Sequence, residues 1–184
     1  MLADQYIPYV KVKQYLAEHP RLRLLFFELT TQCNLKCRHC GSRCPSQGHY
    51  DQIDTGTVLK TIDTVAARMP PGSMMFCLTG GEPLLHRDWF AICKHIASKG
   101  LSWGMTTNGT LITPQTIAQM KEARMQTISV SIDGLKESHE WQRGVSGCFD
   151  KAVYGLQLLA DSKAFRCVQA TTVVNTRNLH ELPL

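Results

Sequence analysis

The chain of 184 residues lacks any run of 18 uncharged apolar residues, which excludes a membrane-spanning helix. Its first residues, MLADQYIPYVKVK, carry Asp4 and no apolar stretch, so no signal peptide is expected. It lacks runs of like charge: 20 Lys and Arg are interspersed with 15 Asp and Glu, and the net charge of +5 forms no basic run, so nucleic acid is not an expected partner. Tandem repeats, low-complexity segments and linkers are also missing, which argues against a second domain. Without a Walker loop, a G-x-G-x-x-G fingerprint or a Ser-His-Asp set, phosphate-loop, dinucleotide and triad chemistry have no foothold.

Cysteine is the residue in excess, with 8 in the chain. That is too few, in too long a chain, for a secreted disulfide scaffold, so a reducing cytoplasm and ligand-binding thiols are the expectation. Cys33, Cys37, Cys40 and Cys44 crowd together, whereas Cys77, Cys93, Cys148 and Cys167 are dispersed and read as small core residues.

Apolar periodicity gives a strand–helix rhythm. An amphipathic lead-in over 8–19 sits in an N-terminal segment, 1–20, ahead of a core unit, 21–184. Strands are predicted at 21–30, 74–79, 101–107, 127–133 and 165–174. A polar loop at 31–53 follows the first strand. Helices are predicted at 55–69 (Val58, Ile62, Val65 and Met69 inward), 87–99 (Trp89, Ile92, Cys93 and Ile96 inward), from the Thr113 cap and Pro114 to about 125, and at 149–162 (Phe149, Val153, Leu156 and Leu159 inward). A further helix starts near Leu179. Five βα units of about 30 residues imply parallel strands with right-handed crossovers. The fold class is α/β, as an open doubly wound sheet or as part of a βα barrel; a full barrel needs about 250 residues. On the fourth strand Thr127, Ser129, Ser131 and Asp133 share a polar face. The first strand (Glu28, Thr30) and the fifth (Gln169, Thr171 and Asn175) repeat the pattern, so a polar cavity inside a partial barrel is expected; an edge strand facing water is the alternative for any one strand.

Cys33-Asn-Leu-Lys-Cys37-Arg-His-Cys40 places three thiols on the loop after the first strand, where α/β folds carry function. Three thiolates suit a [4Fe–4S] cluster with one open iron; structural zinc would recruit His39 or Cys44 as a fourth ligand. Thr79-Gly80-Gly81-Glu82-Pro83, Thr107-Asn108-Gly109 and Ser131-Ile-Asp133-Gly134 follow the next three strands. Adjacent glycines let backbone approach a ligand, their amides could bind a polar headgroup, and Glu82 could meet a cation. Each alone is also an ordinary turn.

CNLKCRHC, TGGEPLL, TTNGTLIT, SVSIDG and then Arg143-Gly144 with Gly147 and Phe149, in this order over about residues 22–176, resemble the radical SAM superfamily. The likeness is strongest to its SPASM-type branch of peptide maturases and of quinone and haem biosynthesis enzymes. The resemblance implies a partial (βα)6-type barrel, here stopping after about five units without the C-terminal cysteine-rich extension. It implies that Cys33, Cys37 and Cys40 hold a [4Fe–4S] cluster and that S-adenosylmethionine chelates the fourth iron. His39 would lie near the adenine, Gly80, Gly81 and Glu82 at the methionine amino group with Pro83 shaping the turn, Ser131 and Asp133 by the ribose, Arg143 at the carboxylate, and Asn108 along the cavity. Reductive cleavage would give a 5′-deoxyadenosyl radical that takes hydrogen from a peptide or small-molecule substrate, with an external one-electron reductant. A non-catalytic Fe–S or zinc module, or an incomplete enzyme needing further chain, is the alternative.

Overall fold

The computed structural model describes residues 2–42, 44 and 50–182, with backbone only for residues 2–7. Positions 43 and 45–49 of the predicted 31–53 loop lie outside the described residues. Five strands form one sheet: β1 (Leu24–Glu28), β2 (Met75–Thr79), β3 (Ser102–Thr107), β4 (Thr127–Ser131) and β5 (Cys167–Thr171). Their spatial order is their chain order, and every neighbouring pair is parallel. An open doubly wound sheet reverses its order at a switch point. Nothing reverses here, so right-handed crossovers place their helices on one face and leave the other free, as in a partial barrel. The helices are α1 (Leu2–Glu18), α2 (Thr55–Ala66), α3 (Trp89–Ser98), α4 (Pro114–Glu122), α5 (Lys136–Arg143) and α6 (Cys148–Asp161). None is long and apolar enough to cross a membrane.

Alternation along the strands separates the two faces. Phe27, Phe76, Leu78, Trp103, Met105, Ile128 and Val130 are buried in the main core, together with Val58 and Ile62 of α2, Ile92 and Ile96 of α3, and Met120 of α4. The opposite side chains form layers fixed by the register. One layer is Phe26–Cys77–Gly104–Thr127–Cys167. Above it, Thr106 pairs with Ser129 and Ser129 with Gln169. The polar inner face expected from the fourth strand is therefore present on β4 and β5, but β1 and β2 contribute Phe26 and Met75 to the same wall.

The helix ends follow their caps. Asp54 accepts from Thr57 N at 2.9 Å at the start of α2. Thr113 and Thr116 form a reciprocal capping box that spans Pro114. Thr113→Ala is expected to cost about 1 kcal/mol, measured as a lower denaturation midpoint with an unchanged denaturant slope; no change would show that Pro114 alone fixes the start of α4.

Five expectations require correction. α5 was not predicted: its inward side chains, Ser138, His139, Gln142 and Arg143, are polar, so no apolar stripe announces it. α6 buries Cys148, Ala152, Gly155 and Leu159, and Val153 is exposed. The reason is close approach, since a Cβ on Gly155 would lie 2.4 Å from Gly109 O, so small residues must face inward there. Near Leu179 the chain makes a 3₁₀ turn, Leu179–Glu181, and no α-helix. The N-terminal helix extends back to Leu2 with Pro8 inside it, and from residue 8 onward it buries no side chain, with Tyr9, Val10, Val12 and Tyr15 exposed. Of the dispersed cysteines, Cys93 and Cys148 are buried as expected, but Cys77 and Cys167 line the free face of the sheet.

Candidate active site

The cysteine loop leaves β1 and is stapled at its root. Thr30 bridges Gln52 in antiparallel fashion, and Thr31 N donates to Asp51 O at 2.9 Å. The Gly80-Gly81 turn holds the loop from the side: Gly81 N donates to Thr30 O at 2.7 Å and Glu82 N to Gln32 O at 2.8 Å. A Cβ on Gly81 would lie 2.2 Å from Gln32 O. The glycines thus admit the protein's own backbone, and one of the two amides read as headgroup donors, that of Gly81, is already engaged.

The third support is the end of α5. Lys36 N donates to Arg143 O at 3.0 Å, and Arg38 N to Gln142 O at 2.8 Å. The last carbonyls of a helix have no partner within it, and here the cysteine loop supplies the donors. Gly144 closes α5 in the left-handed conformation, φ 71°, with a virtual Cβ 2.4 Å from Lys36 O.

These supports gather Cys33, Cys37, Cys40, Cys44, His39, Gly80, Gly81, Asn108, Ser131 and Arg143 around one cavity of about 410 Å³. Leu35, Lys36, Thr79, Thr106 and Thr107 complete its wall. Arg143 Nη1 lies 3.7 Å from Cys37 Sγ, and Arg143 Nε lies 2.8 Å from Asp133 Oδ2, close in distance but off the N–H axis. Asn108 Nδ2 donates to Asn34 Oδ1 at 2.8 Å and reaches to 4.0 Å from Cys33 Sγ. Gln142, which sequence reasoning missed, has Nε2 at 2.7 Å from His39 Nδ1. With the amide as donor, Nδ1 accepts.

Glu82, Pro83 and Asp133 stand behind this wall rather than on it. Pro83 opens a 3₁₀ turn, Pro83–Leu85. Asp133 is fully buried, with Oδ1 accepting from Val173 N at 3.0 Å and its own N–H donated to His139 Nδ1. Glu82 is likewise fully buried. Its carboxylate accepts from Thr107 Oγ1 at 2.7 Å, Asn108 N at 2.8 Å and Leu84 N at 3.3 Å, tying β2 to β3.

Burial pushes the Cys33 and Cys37 thiols up; at Cys37 the Arg143 guanidinium pulls the other way. Cys44 is pushed up to about 11, by burial first and then by Cys40. Burial, with Arg143 adding to it, lowers His39. Glu82 rises from 4.5 to about 7 because burial outweighs its three donors. The folded chain therefore holds a proton on Glu82 that the unfolded chain has released between 4.5 and about 7. Stability must fall as pH rises through that window, by up to about 1.4 kcal/mol per pH unit. Glu82→Gln is expected to remove this slope in denaturant titrations across the window; identical slopes would mean that Glu82 is ionised in place.

The architecture defines a class: a one-way parallel sheet with a three-thiol loop and a glycine turn at the carboxyl ends of its strands. Residues 27–183 match the family model for the radical SAM superfamily, and the chain belongs to that family, which uses a [4Fe–4S] cluster and S-adenosylmethionine. It is 38% identical over 161 residues to the AdoMet-dependent heme synthase of Methanosarcina barkeri, covering 87% of this chain and 45% of that one. It is 32% identical over 160 residues to the mycofactocin maturase MftC of Mycobacterium tuberculosis, covering 86% and 39% respectively. Among solved structures, anSMEcpe with bound AdoMet superposes with a TM-score of 0.73 at 23% identity, over 88% of this chain and 47% of that one. Streptococcus suis SuiB bound to S-adenosylmethionine gives 0.70 at 16%, over 91% and 38%. The chain spans less than half the length of these relatives.

Proposed function

We propose that this chain carries the cofactor half of a radical SAM enzyme, with Cys33, Cys37 and Cys40 each binding one iron of a [4Fe–4S] cluster. One observation carries the reading: three thiols, the glycine turn and the polar ends of β2, β3 and β4 meet on one cavity. The donor set fits the group. Among the described residues no three His, Cys, Asp or Glu side chains close on a single point as one ion requires. A cube takes one thiolate at each of three irons, whereas structural zinc takes four donors on one metal.

When bound, the cluster and S-adenosylmethionine supply a carbon-centred radical that takes a hydrogen atom from the substrate. The chain's own part is placement. α5 holds the cysteine loop by two backbone hydrogen bonds. Arg143, buried and anchored by Asp133, is the guanidinium suited to the methionine carboxylate. The Gly80-Gly81 turn borders the cavity where the methionine amino group would sit, Ser131 and Asn108 present polar groups for the nucleoside, and His39, held by Gln142, would meet the adenine. The relatives' names offer two substrate classes, a haem in the AdoMet-dependent heme synthase and a peptide in Streptococcus suis SuiB bound to precursor peptide SuiA.

Anaerobic reconstitution with iron and sulfide, then dithionite and S-adenosylmethionine, is expected to yield 5′-deoxyadenosine. An intact cluster with no cleavage in the full protein, or a colourless zinc protein with its cysteines intact, would overturn the reading.

A further inference from the structure

We infer that Asn108, locked by Asn34 and Thr110, turns an amide N–H toward the Cys33 sulfur and thereby raises the reduction potential of the cluster held there. The inference rests on the proposed function for the cluster itself; its own evidence is the side-chain network in the turn after β3.

Asn108 is buried, and it is fixed from two sides. Through the backbone, Asn108 N donates to Glu82 Oε2 at 2.8 Å. Through the side chain, Asn108 Oδ1 accepts from Thr110 N at 3.0 Å and from Thr110 Oγ1 at 2.7 Å. A backbone N–H can only donate, so the amide oxygen is the atom that faces Thr110, and the NH2 group faces the other way. There Asn108 Nδ2 donates to Asn34 Oδ1 at 2.8 Å, and Asn34 Nδ2 donates to Thr110 Oγ1 at 2.8 Å. The three side chains close a ring in which every hydrogen points the same way round. That ring uses one of the two amide hydrogens of Asn108. The same nitrogen stands 4.0 Å from Cys33 Sγ, so the second hydrogen is left for the sulfur.

Cys33 Sγ also accepts from Leu35 N at 3.5 Å. Cys33 and Asn108 are each only 7% exposed, so water does little to screen the amide dipole from the sulfur. A charged thiolate draws an N–H more strongly than a neutral thiol does. When the cluster is reduced, one electron arrives from an external one-electron carrier, no bond forms or breaks, and the added negative charge is shared with the sulfur ligands. A donor aimed at a ligand sulfur stabilises that more negative state, which is how hydrogen bonds to sulfur tune iron–sulfur potentials. The direction is therefore set: with its donor in place the cluster is easier to reduce, and without it harder.

The test is a redox titration of the reconstituted full protein, followed by electron paramagnetic resonance of the reduced cluster. It is run first without S-adenosylmethionine, so that no contact between Asn108 and the nucleoside contributes. Asn108→Leu has a side chain of similar size and no N–H. It is expected to lower the ratio of reduced to oxidised cluster about tenfold at fixed potential, which for a one-electron couple is a midpoint about 59 mV lower. Thr110→Val removes the hydroxyl that orients the amide but keeps the amide, and it is expected to lower the ratio about threefold. Asn108→Asp, which puts negative charge beside the sulfur, is expected to lower the midpoint further than Asn108→Leu. Iron and sulfide per chain at the wild-type level show that the cluster is retained. An unmoved or raised midpoint in iron-loaded Asn108→Leu or Thr110→Val would overturn the inference, and so would a shift that appears only once S-adenosylmethionine is added. If Asn108→Leu does not hold iron, the Thr110→Val midpoint decides alone. The two readings fail separately: a wild-type chain that assembles no [4Fe–4S] cluster sinks the proposed function, whereas an assembled cluster whose potential ignores Asn108 and Thr110 sinks only this inference.

Discussion

Cys37→Ala is expected to take 5′-deoxyadenosine formation to background and to strip iron from the reconstituted protein. Cys37 is half-buried at the cavity, with Arg143 on one side and Cys33 and Cys40 near enough to influence titration across the loop. Losing one of three ligands leaves the cluster two attachment points and opens a second iron to solvent. Iron and sulfide content per chain, read beside the product assay, separates loss of metal from loss of catalysis. Cys33→Ala and Cys40→Ala are expected to behave alike. Cys44 lines the same cavity beside Cys40, yet Cys44→Ser is expected to keep iron and activity within about twofold. If Cys44→Ser loses metal as completely as the other three, the site uses four thiols and leaves no iron open. Cys93→Ala, a buried core change on α3, should lower stability modestly and leave the iron count alone.

Arg143→Met is expected to cost about 3–5 kcal/mol of folding stability, because it leaves Asp133 in the interior without its guanidinium partner. Asp133 has no exposed surface, and its Oδ2 has only the guanidinium beside it. The double variant Asp133→Asn/Arg143→Met is expected to recover much of that loss, since no charge then remains buried. Denaturant unfolding of the two single variants and the double measures the coupling. If the double variant is no better than Arg143→Met, the ion pair is not what the arginine contributes. Recovery of stability without recovery of 5′-deoxyadenosine formation would separate the structural task of Arg143 from its task at the cavity.

Much of the fold was legible because the main helices carry apolar stripes at helical spacing. Trp89, Ile92, Cys93 and Ile96 are all buried on α3, and Thr113-Pro114 begins α4 with a capping box. Legibility failed where an inward face is not apolar. On α5 that face is Ser138, His139, Gln142 and Arg143, and on α6 it is Ala152 and Gly155, chosen for close approach. Neither pattern departs from solvent-facing helix or turn composition until a partner is in place. The same limit explains Glu82. Its motif placed it at a strand end beside glycines, but only the packing of β2 on β3 adds the Thr107 and Asn108 donors to the local one from Leu84.

The sequence by itself determined the chemistry: three thiols at close spacing after a strand, a glycine pair after the next, and an order of motifs that identifies the family. These are local facts, set by residue type and spacing along a few residues of chain. Tertiary structure alone decided what those residues do for one another. It spent two of the glycine-turn amides on the cysteine loop, and it put the end of α5 under that loop, because helix carbonyls and loop amides satisfy each other only in three dimensions. It also closed Asn34 onto Asn108 and Thr110, 74 and 76 residues away along the chain, since only the sheet that sets β1 and β3 on either side of β2 brings the turns after them together.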